Sequence, residues 1–466
     1  MKIGYRQRLA EFAGGLRLSR ELARRECQPR EGLHLYQQKR LESVVRHAAG
    51  HSPFYRERLA GVGQGPVELS RLPTLNKSEM MEHFDELVTD GRLRRDSLLG
   101  WVEGLDREEL YLDRYRVMTT SGSSGHKGLF VFDRPEWRTV IGMFLRYSTM
   151  AGVRPRLPRR LRIAAIIGAS PTHMSRQISA SVSVGIYRVL TLSVTQPVEQ
   201  LVESLNRFQP DFVAAYPSAA TRLAEEQLAG HLRLRLAGMS MSSELRTPEM
   251  TERIVEAFGV RPFDHYATTE GLWGCECEHH QGIHLFEDVT LVENVDDAGV
   301  PTPIGESGTH LLVTSLHNQV QPIIRMELSD AVTLDPEPCP CGRSLIRARS
   351  IEGRTDDVLS LPGRRGGEVM VHPLQFGIVT RDREVREFQV VQEGESVLIR
   401  VVARPSASGE LEGRLREVVS RKLAELGVRE PRVSVERREN LARSAGGKLQ
   451  LVVADPAARA AHCRPG

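Results

Sequence analysis

The sequence predicts an α/β protein in two unequal parts, a large α/β N-terminal domain and a small α+β C-terminal domain. Three observations carry this. At 466 residues the chain exceeds one ordinary domain and has room for a large core. Between about residues 110 and 330, short β-rich runs alternate with helical ones, the pattern of α/β folds. After a break near Gly353–Asp357, a hairpin, an amphipathic helix and a further alternating strand follow. The predicted domains are therefore residues 1–355 and 356–466, the first opening on a helical segment over 1–60.

The elements follow in chain order. Tyr36–Ala49 carries apolar residues at helical intervals, and Pro53–Leu59 resumes the pattern after a break. Arg6, Arg8, Arg17, Arg20, Arg24 and Arg25 interleave with apolar residues, which marks the solvated face of an amphipathic helix. The strand-like stretches Leu110–Met118 and Leu129–Phe132 flank Thr119-Thr120-Ser121-Gly122-Ser123-Ser124-Gly125-His126-Lys127-Gly128. Leu161–Ile167, Phe212–Ala215 and Gly308–Ser315 read as strands, and Val260–Phe263 as a short buried one. Ser218–Leu228 and Thr247–Phe258 read as helices, with Ser218 and Thr247 as N-caps and Pro248 at the first helical position. In the tail, Glu387–Val402 is a hairpin turning at Gln392-Glu393-Gly394-Glu395. Leu411–Leu426 is a helix closed by Gly427, and Arg432–Arg437 is a strand.

Composition excludes several classes. Hydrophobic residues are 40% and charged residues 26% of the chain, the balance of a soluble globular protein. Lys plus Arg number 63 against 60 Asp plus Glu, a formal charge of +3, so no basic footprint argues for nucleic acid. No run of about 18 apolar residues marks a membrane span, and the first residues lack the apolar stretch of a signal peptide. Six cysteines are too sparse for a disulfide scaffold, so reduced thiols and a cytoplasmic setting are expected.

Five constellations carry chemistry. The Thr119–Gly128 segment packs five hydroxyl side chains and three glycines into ten residues. Glycine lets backbone N–H groups converge on an anion, the hydroxyls add donors, and Lys127 adds charge. His126 stands where the ordinary P-loop signature has its second glycine, and strands flank the loop on both sides. Alone, the segment reads equally as a phosphate cradle or a Ser/Gly surface turn. Asp264-His265-Tyr266-Ala267-Thr268-Thr269-Glu270-Gly271 would sit at the carboxyl end of the Val260–Phe263 strand, where open α/β sheets place ligands. There a Tyr can stack on a base, a Thr can donate to phosphate, and a Glu can hold Mg2+. Ile351–Val358, with Arg354 beside Asp356 and Asp357, and Arg443–Lys448, with Lys448 after two glycines, are by themselves an ion pair and a loop charge. Finally, Cys275 and Cys277 form one close pair, Cys339 and Cys341 another, and His284 lies seven residues beyond Cys277. Cys277, His284, Cys339 and Cys341 make a Cys3His set suited to tetrahedral, structural Zn2+. Cys275, His279 and His280 are alternative ligands, and reduced cysteines in a loop-rich region are the alternative reading. Cys27 and Cys463 stand apart.

The order of these motifs resembles the adenylate-forming superfamily of acyl-CoA synthetases, peptide-synthetase adenylation domains and luciferases. The Ser/Thr/Gly loop comes first, then Tyr266-x-x-Thr269-Glu270, then Gly353-Arg354-x-Asp356-Asp357, then Gly446-Gly447-Lys448. Ser52–Leu59, Leu72–Lys77, Gly282–Asp288 and the Cys339–Arg343 turn are similar to the phenylacetate–CoA ligase branch. The resemblance spans nearly the whole chain. It implies a large N-terminal domain of several subdomains and a mobile C-terminal domain. It also implies that ATP and Mg2+ activate a carboxylic acid, aryl or hydrophobic, to an acyl-adenylate, whose acyl group then passes to a thiol of CoA or a carrier protein. In that reading Ser121, Gly122, Ser123, Ser124 and Gly125 hold the β- and γ-phosphates, Thr269 contacts the α-phosphate, and Glu270 holds Mg2+. Tyr266 stacks on adenine, and Asp264 and the Ser242-Ser243-Glu244 turn line the base. Asp330 binds the ribose with help from Arg354, Lys448 bridges carboxylate and α-phosphate, and Asp356 is the hinge. The acid pocket falls between residues of about 140 and 245, including the Gly168–His173 loop.

Two features depart from the family pattern. No proline precedes Lys127, and Pro362–Gly367 replaces a shorter glycine loop after the hinge. Two other readings follow: adenylate formation with hand-over to a partner enzyme or amine, and a non-catalytic zinc-knuckle module. The oligomeric state, monomer or dimer, is not written in the motifs.

Overall fold

The structure, a computed structural model, describes residues 3–61, 66–120, 128–154, 158–354, 357–444 and 447–455. Ser121 to Gly125 of the predicted phosphate loop, and the hinge residue Asp356, lie outside the described residues.

The chain opens with helices Tyr5–Arg25 and Arg30–His51. The first lies against helix Arg134–Met150, and the approach is close because both helices carry glycine there. A Cβ on Gly15 would meet Ile141 Cγ2 at 2.4 Å, and one on Gly142 would meet Leu18 at 3.2 Å. The arginine face is only partly solvated: Arg6, Arg17, Arg20 and Arg24 are exposed. Arg8 instead donates to the Ala180 carbonyl at 3.3 Å, and Arg25 to Asp288 at 3.3 Å. Packing against the rest of the domain thus claims two of the six.

A nine-stranded mixed sheet forms the centre. Its spatial order is Asp330–Asp335, Arg347–Arg354, Ile283–Leu285, Trp273–Glu276, Phe263–Ala267, Gly238–Ser242, Phe212–Ala215, Leu161–Ile167, Tyr187–Ser193. The last five strands in that order are parallel neighbours, and the first five are antiparallel. The parallel half is covered by helices Val198–Phe208, Pro217–Leu228 and Pro248–Phe258, which bury Ala164, Ile166, Val213 and Met239. Strands Arg116–Thr119 and Leu129–Phe132 pair antiparallel, with Thr119 opposite Leu129, so both ends of the hydroxyl-rich loop meet. Thr120 Oγ1 closes that neck by accepting from the Gly128 N–H at 2.9 Å.

Several expected boundaries shift for local reasons. Helix Pro217–Leu228 starts at its proline after Tyr216, so Ser218 is not its N-cap; the Ser218 N–H is satisfied by Glu244 instead. Thr247 does cap its helix, accepting from the Met250 N–H at 3.3 Å. The strand near 260 runs Phe263–Ala267, not Val260–Phe263, so Asp264, His265 and Tyr266 lie inside it rather than beyond its end. The strand expected from Gly308 begins at His310.

A four-stranded sheet, Arg432–Arg437, Ser396–Ala403, Val385–Glu393 and Val452–Val453, carries helix Leu411–Glu425 in the C-terminal part. Phe388, Val390, Ile399 and Val401 bury against Leu411, Leu415, Val419 and Leu423 in a cluster distinct from the main core. Gly394 turns the hairpin at φ +61° and Gly427 ends the helix at φ +98°, both left-handed positions. Among the described residues, no helix is long and apolar enough to cross a membrane.

Candidate active site

A cleft of about 1410 Å3 opens where the parallel strands end, and Ile167, Ala215, Ser242 and Ala267 form its rim. Its other wall is the C-terminal part, through Lys448, Leu449 and Gln450. Residues predicted from separate motifs meet here: Thr119, Thr120, Ser242, Ser243, Glu244, Asp264, Tyr266, Thr269, Glu270, Asp330, Arg354 and Lys448 all line it.

Strand alternation in Phe263–Ala267 sorts its side chains to two faces. Asp264 accepts from Arg246 Nε at 3.3 Å, and Arg246 also reaches Glu276 at 2.8 Å. Burial, opposed by Arg246, pushes the Asp264 carboxyl up to about 6. On the opposite face the His265 ring stacks on Tyr147, with centroids 4.0 Å apart, and meets Trp273 edge-on at 5.1 Å. Burial lowers His265 to about 3, so the ring is neutral. Phe144, Ile178 and His173 extend this apolar wall. Burial, with Lys448 nearby, holds His173 down at about 4.

After the strand, the Gly271 N–H returns to the Thr268 carbonyl at 3.2 Å, and Gly271 takes φ +108°. This turn presents Thr269 and Glu270 to the cleft. Burial alone would raise the Glu270 carboxyl, but Lys77 Nζ at 3.0 Å and the charge of Arg354 outweigh it and lower it. Glu270 is therefore a buried carboxylate.

Lys77 is the residue that motif reasoning missed as a site residue. It opens helix Lys77–Glu82, which Asn76 caps by accepting from the Glu79 N–H at 2.9 Å. The available signal was its place at the end of the Leu72–Lys77 stretch, next to an N-cap.

Asp330 and Arg354 are direct partners across adjacent strands. Burial raises the Asp330 carboxyl while Arg354 opposes that shift. The Tyr266 phenol lies beside Asp330; burial, with that carboxylate, raises it far above its ordinary value. Lys448 sits in a tight turn in which the Ser444 N–H donates to the Lys448 carbonyl at 3.0 Å and Gly447 takes φ +76°. Burial, reinforced by Arg354, lowers the Lys448 ammonium.

Away from the cleft, Cys277, His284, Cys339 and Cys341 place their ligand atoms within 4.8 Å of one another. Cys341 Sγ is 3.4 Å from His284 Nε2, and Cys277 Sγ is 3.6 Å from Cys339 Sγ. His284 Nδ1 faces the Leu345 carbonyl at 3.4 Å, which leaves Nε2 for a metal. Of the alternatives, Cys275 donates to the Glu276 carbonyl at 3.0 Å and His280 contacts Glu276 at 3.0 Å, while His279 is exposed; none joins the cluster.

No family model matches the chain. Phenylacetate-coenzyme A ligase of Thermus thermophilus is 28% identical over 391 residues, 80% of this chain and 81% of that protein. In sequence the chain is similar to the phenylacetate–CoA ligase-like branch of the adenylate-forming superfamily. Solved structures share its fold. A 2-hydroxyisobutyryl-CoA ligase in the postadenylation state with 2-HIB-AMP gives a TM-score of 0.74 at 23% identity, over 94% of this chain and 93% of that one. The same ligase in the thioesterification state with 2-HIB-AMP and CoA gives 0.59 at 22% identity, over 94% and 93%.

Proposed function

We propose that this chain is an acid–thiol ligase that activates a carboxylic acid with ATP as its acyl-adenylate and then transfers the acyl group to CoA. The observation that carries this is the convergence of Glu270, Asp330, Arg354 and Lys448 on one cleft between the main sheet and the C-terminal part. Attack of a carboxylate on the α-phosphorus needs positioning and charge neutralisation more than covalent help. Tyr266 stacks on adenine, while Asp330, supported by Arg354, takes the ribose hydroxyls. Thr269 donates to the α-phosphate, and the Ser121–Gly125 loop holds the outer phosphates. Lys448 neutralises charge where the two substrates meet. Residues 1–355 and 356–466 are then two bodies that turn about Asp356 between half-reactions.

The acid sits along Phe144, Tyr147, Ile178 and Trp273, which suits an aryl or hydrophobic acyl group. The named phenylacetate ligases among its relatives support that class. The higher similarity to a postadenylation structure supports assigning the arrangement described above to the adenylation half of the cycle. A screen of ATP–pyrophosphate exchange over aryl, branched and long-chain acids tests the reading. Acid-dependent exchange, with AMP release on adding CoA, is expected; exchange with no acid in the panel would refute it.

Glu270 fits Mg2+, because it is an ionised, buried oxygen ligand facing the cleft. Bound there with ATP, the ion would neutralise phosphate charge. Glu270→Gln removes the negative charge but keeps the shape. Exchange at limiting Mg2+ is expected to fall about 100-fold and to recover in part at high Mg2+; an unchanged Mg2+ dependence would remove Glu270 from this role. Cys277, His284, Cys339 and Cys341 fit Zn2+ in a closed structural site, since three thiols and one imidazole fill all four positions.

A further inference from the structure

We infer that Glu244 is a positioning residue that seats Lys448 for adenylation, and that its hydrogen bond to the Leu449 N–H breaks when the ligase passes to thiol transfer. This rests on the functional reading above. Glu244 follows strand Gly238–Ser242, and Ser243 at φ +72° turns the chain so that the carboxylate enters the cleft wall. Its side chain is 5% exposed, so each oxygen must find a protein partner. One oxygen accepts from the Ser218 N–H at 3.0 Å, in the first turn of helix Pro217–Leu228. That donor has no partner inside the helix, and the helix N-terminus favours a negative charge. The other oxygen accepts from the Leu449 N–H at 2.7 Å. Leu449 is the residue next to Lys448, so one carboxylate ties the main domain to the backbone that carries the ammonium.

Neighbouring contacts make the seat specific. Arg443, at the start of the same turn, donates to Ser218 Oγ at 3.0 Å, to the Gly447 carbonyl at 3.3 Å and to Glu387 at 2.8 Å. It also stands 3.9 Å from Glu244. Gly447 packs so tightly on the main domain that a Cβ there would meet Val194 Cγ1 at 2.2 Å. The Glu244, Ser218 and Val194 contacts join the Lys448 turn to residues that a rotation about Asp356 would carry away.

Glu244→Gln tests this. The amide offers one oxygen, and its NH2 would face a donor, so one of the two bonds is lost. The two half-reactions are then measured separately on the full chain, with an acid that supports wild-type exchange. ATP–pyrophosphate exchange is expected to fall about 10- to 100-fold, the range for losing one hydrogen bond to a charged group, with the KM for ATP little changed. Thioester formation from supplied acyl-adenylate and CoA is expected to be unaffected. Unchanged exchange, or an equal fall in both half-reactions, would overturn the inference. If the variant does not fold, Arg443→Gln is read instead, and the same split between half-reactions decides. Wild-type protein inactive with every acid would overturn the functional reading and this inference together, whereas active wild type with a fully active Glu244→Gln would overturn only the latter.

Discussion

Replacing Lys448 by alanine is expected to slow adenylation about 100- to 1000-fold while leaving ATP binding largely intact, the pattern for a donor that acts on charge developing in the transition state. The adenine and ribose contacts assigned to Tyr266 and Asp330 do not depend on this lysine. Its own value lies in a desolvated setting, where a positive charge is worth far more than in water. The same desolvation has a visible consequence. Burial, with Arg354 nearby, lowers the Lys448 ammonium below the ordinary lysine range. A group with a lowered value sheds its proton earlier as pH rises, so the exchange rate of the wild type should decline on the alkaline side sooner than an unperturbed lysine would allow. Exchange rates across pH, beside ATP titration of Lys448→Ala, test both statements. Wild-type-like exchange in the variant would remove Lys448 from catalysis. Loss of ATP affinity equal to the loss of rate would instead make it a binding residue.

The fold was legible wherever side-chain burial was uniform along an element. Ile163–Ile167, within strand Leu161–Ile167, and Phe212–Ala215 are buried on both faces of a parallel sheet and read as continuous apolar runs. Phe263–Ala267 did not, because this strand borders the cleft and is only half-buried, so its polar residues looked like a loop. Thr247 announced its helix by a side-chain cap, but Ser218 misled, since its backbone N–H belongs to a tertiary contact with Glu244. The site shows the same division. Thr269, Glu270, Arg354 and Lys448, nominated by motif order, and Asp330, nominated by the family resemblance, do meet in one cleft. The Lys77–Glu270 pair was not readable, because it joins distant segments with no periodicity between them. Two stretches that carried the family likeness serve the scaffold instead. Tyr55 donates to the Pro322 carbonyl at 3.1 Å, and Asp288 holds buried Arg146 at 2.6 Å. Likewise, spacing could nominate a Cys3His set but could not choose between Cys275 and Cys277. Side-chain positions chose: Cys277 Sγ lies 3.6 Å from Cys339 Sγ, whereas the Cys275 thiol donates to the Glu276 carbonyl.

Purified protein is expected to carry about one zinc per chain, and stripping it should lower the unfolding midpoint by about 10 °C and abolish most exchange activity. Cys277 directly follows strand Trp273–Glu276, which pairs with the strand leading into Thr269 and Glu270. Cys339 and Cys341 lie just before strand Arg347–Arg354, which ends on the Arg354 that faces Asp330. His284 stands opposite Arg347 in register and opposite Cys275 on its other side, so the four ligands cross-link three neighbouring strands of the antiparallel half. Without the ion, buried Cys277, His284 and Cys339 would keep only weak thiol and imidazole contacts in place of metal bonds. The loss would then spread to Glu270 and Arg354, which sit on the strands and turns that the ion ties together. Metal analysis of the purified chain, and thermal unfolding with and without a chelator, measure the effect directly. Cys339→Ser should reproduce it, whereas Cys27→Ser, at an exposed thiol outside the cluster, should not. A chain that is metal-free as purified and still unfolds cooperatively at the midpoint of Cys339→Ser would show that hydrophobic packing around these cysteines suffices and that the site holds no structural ion.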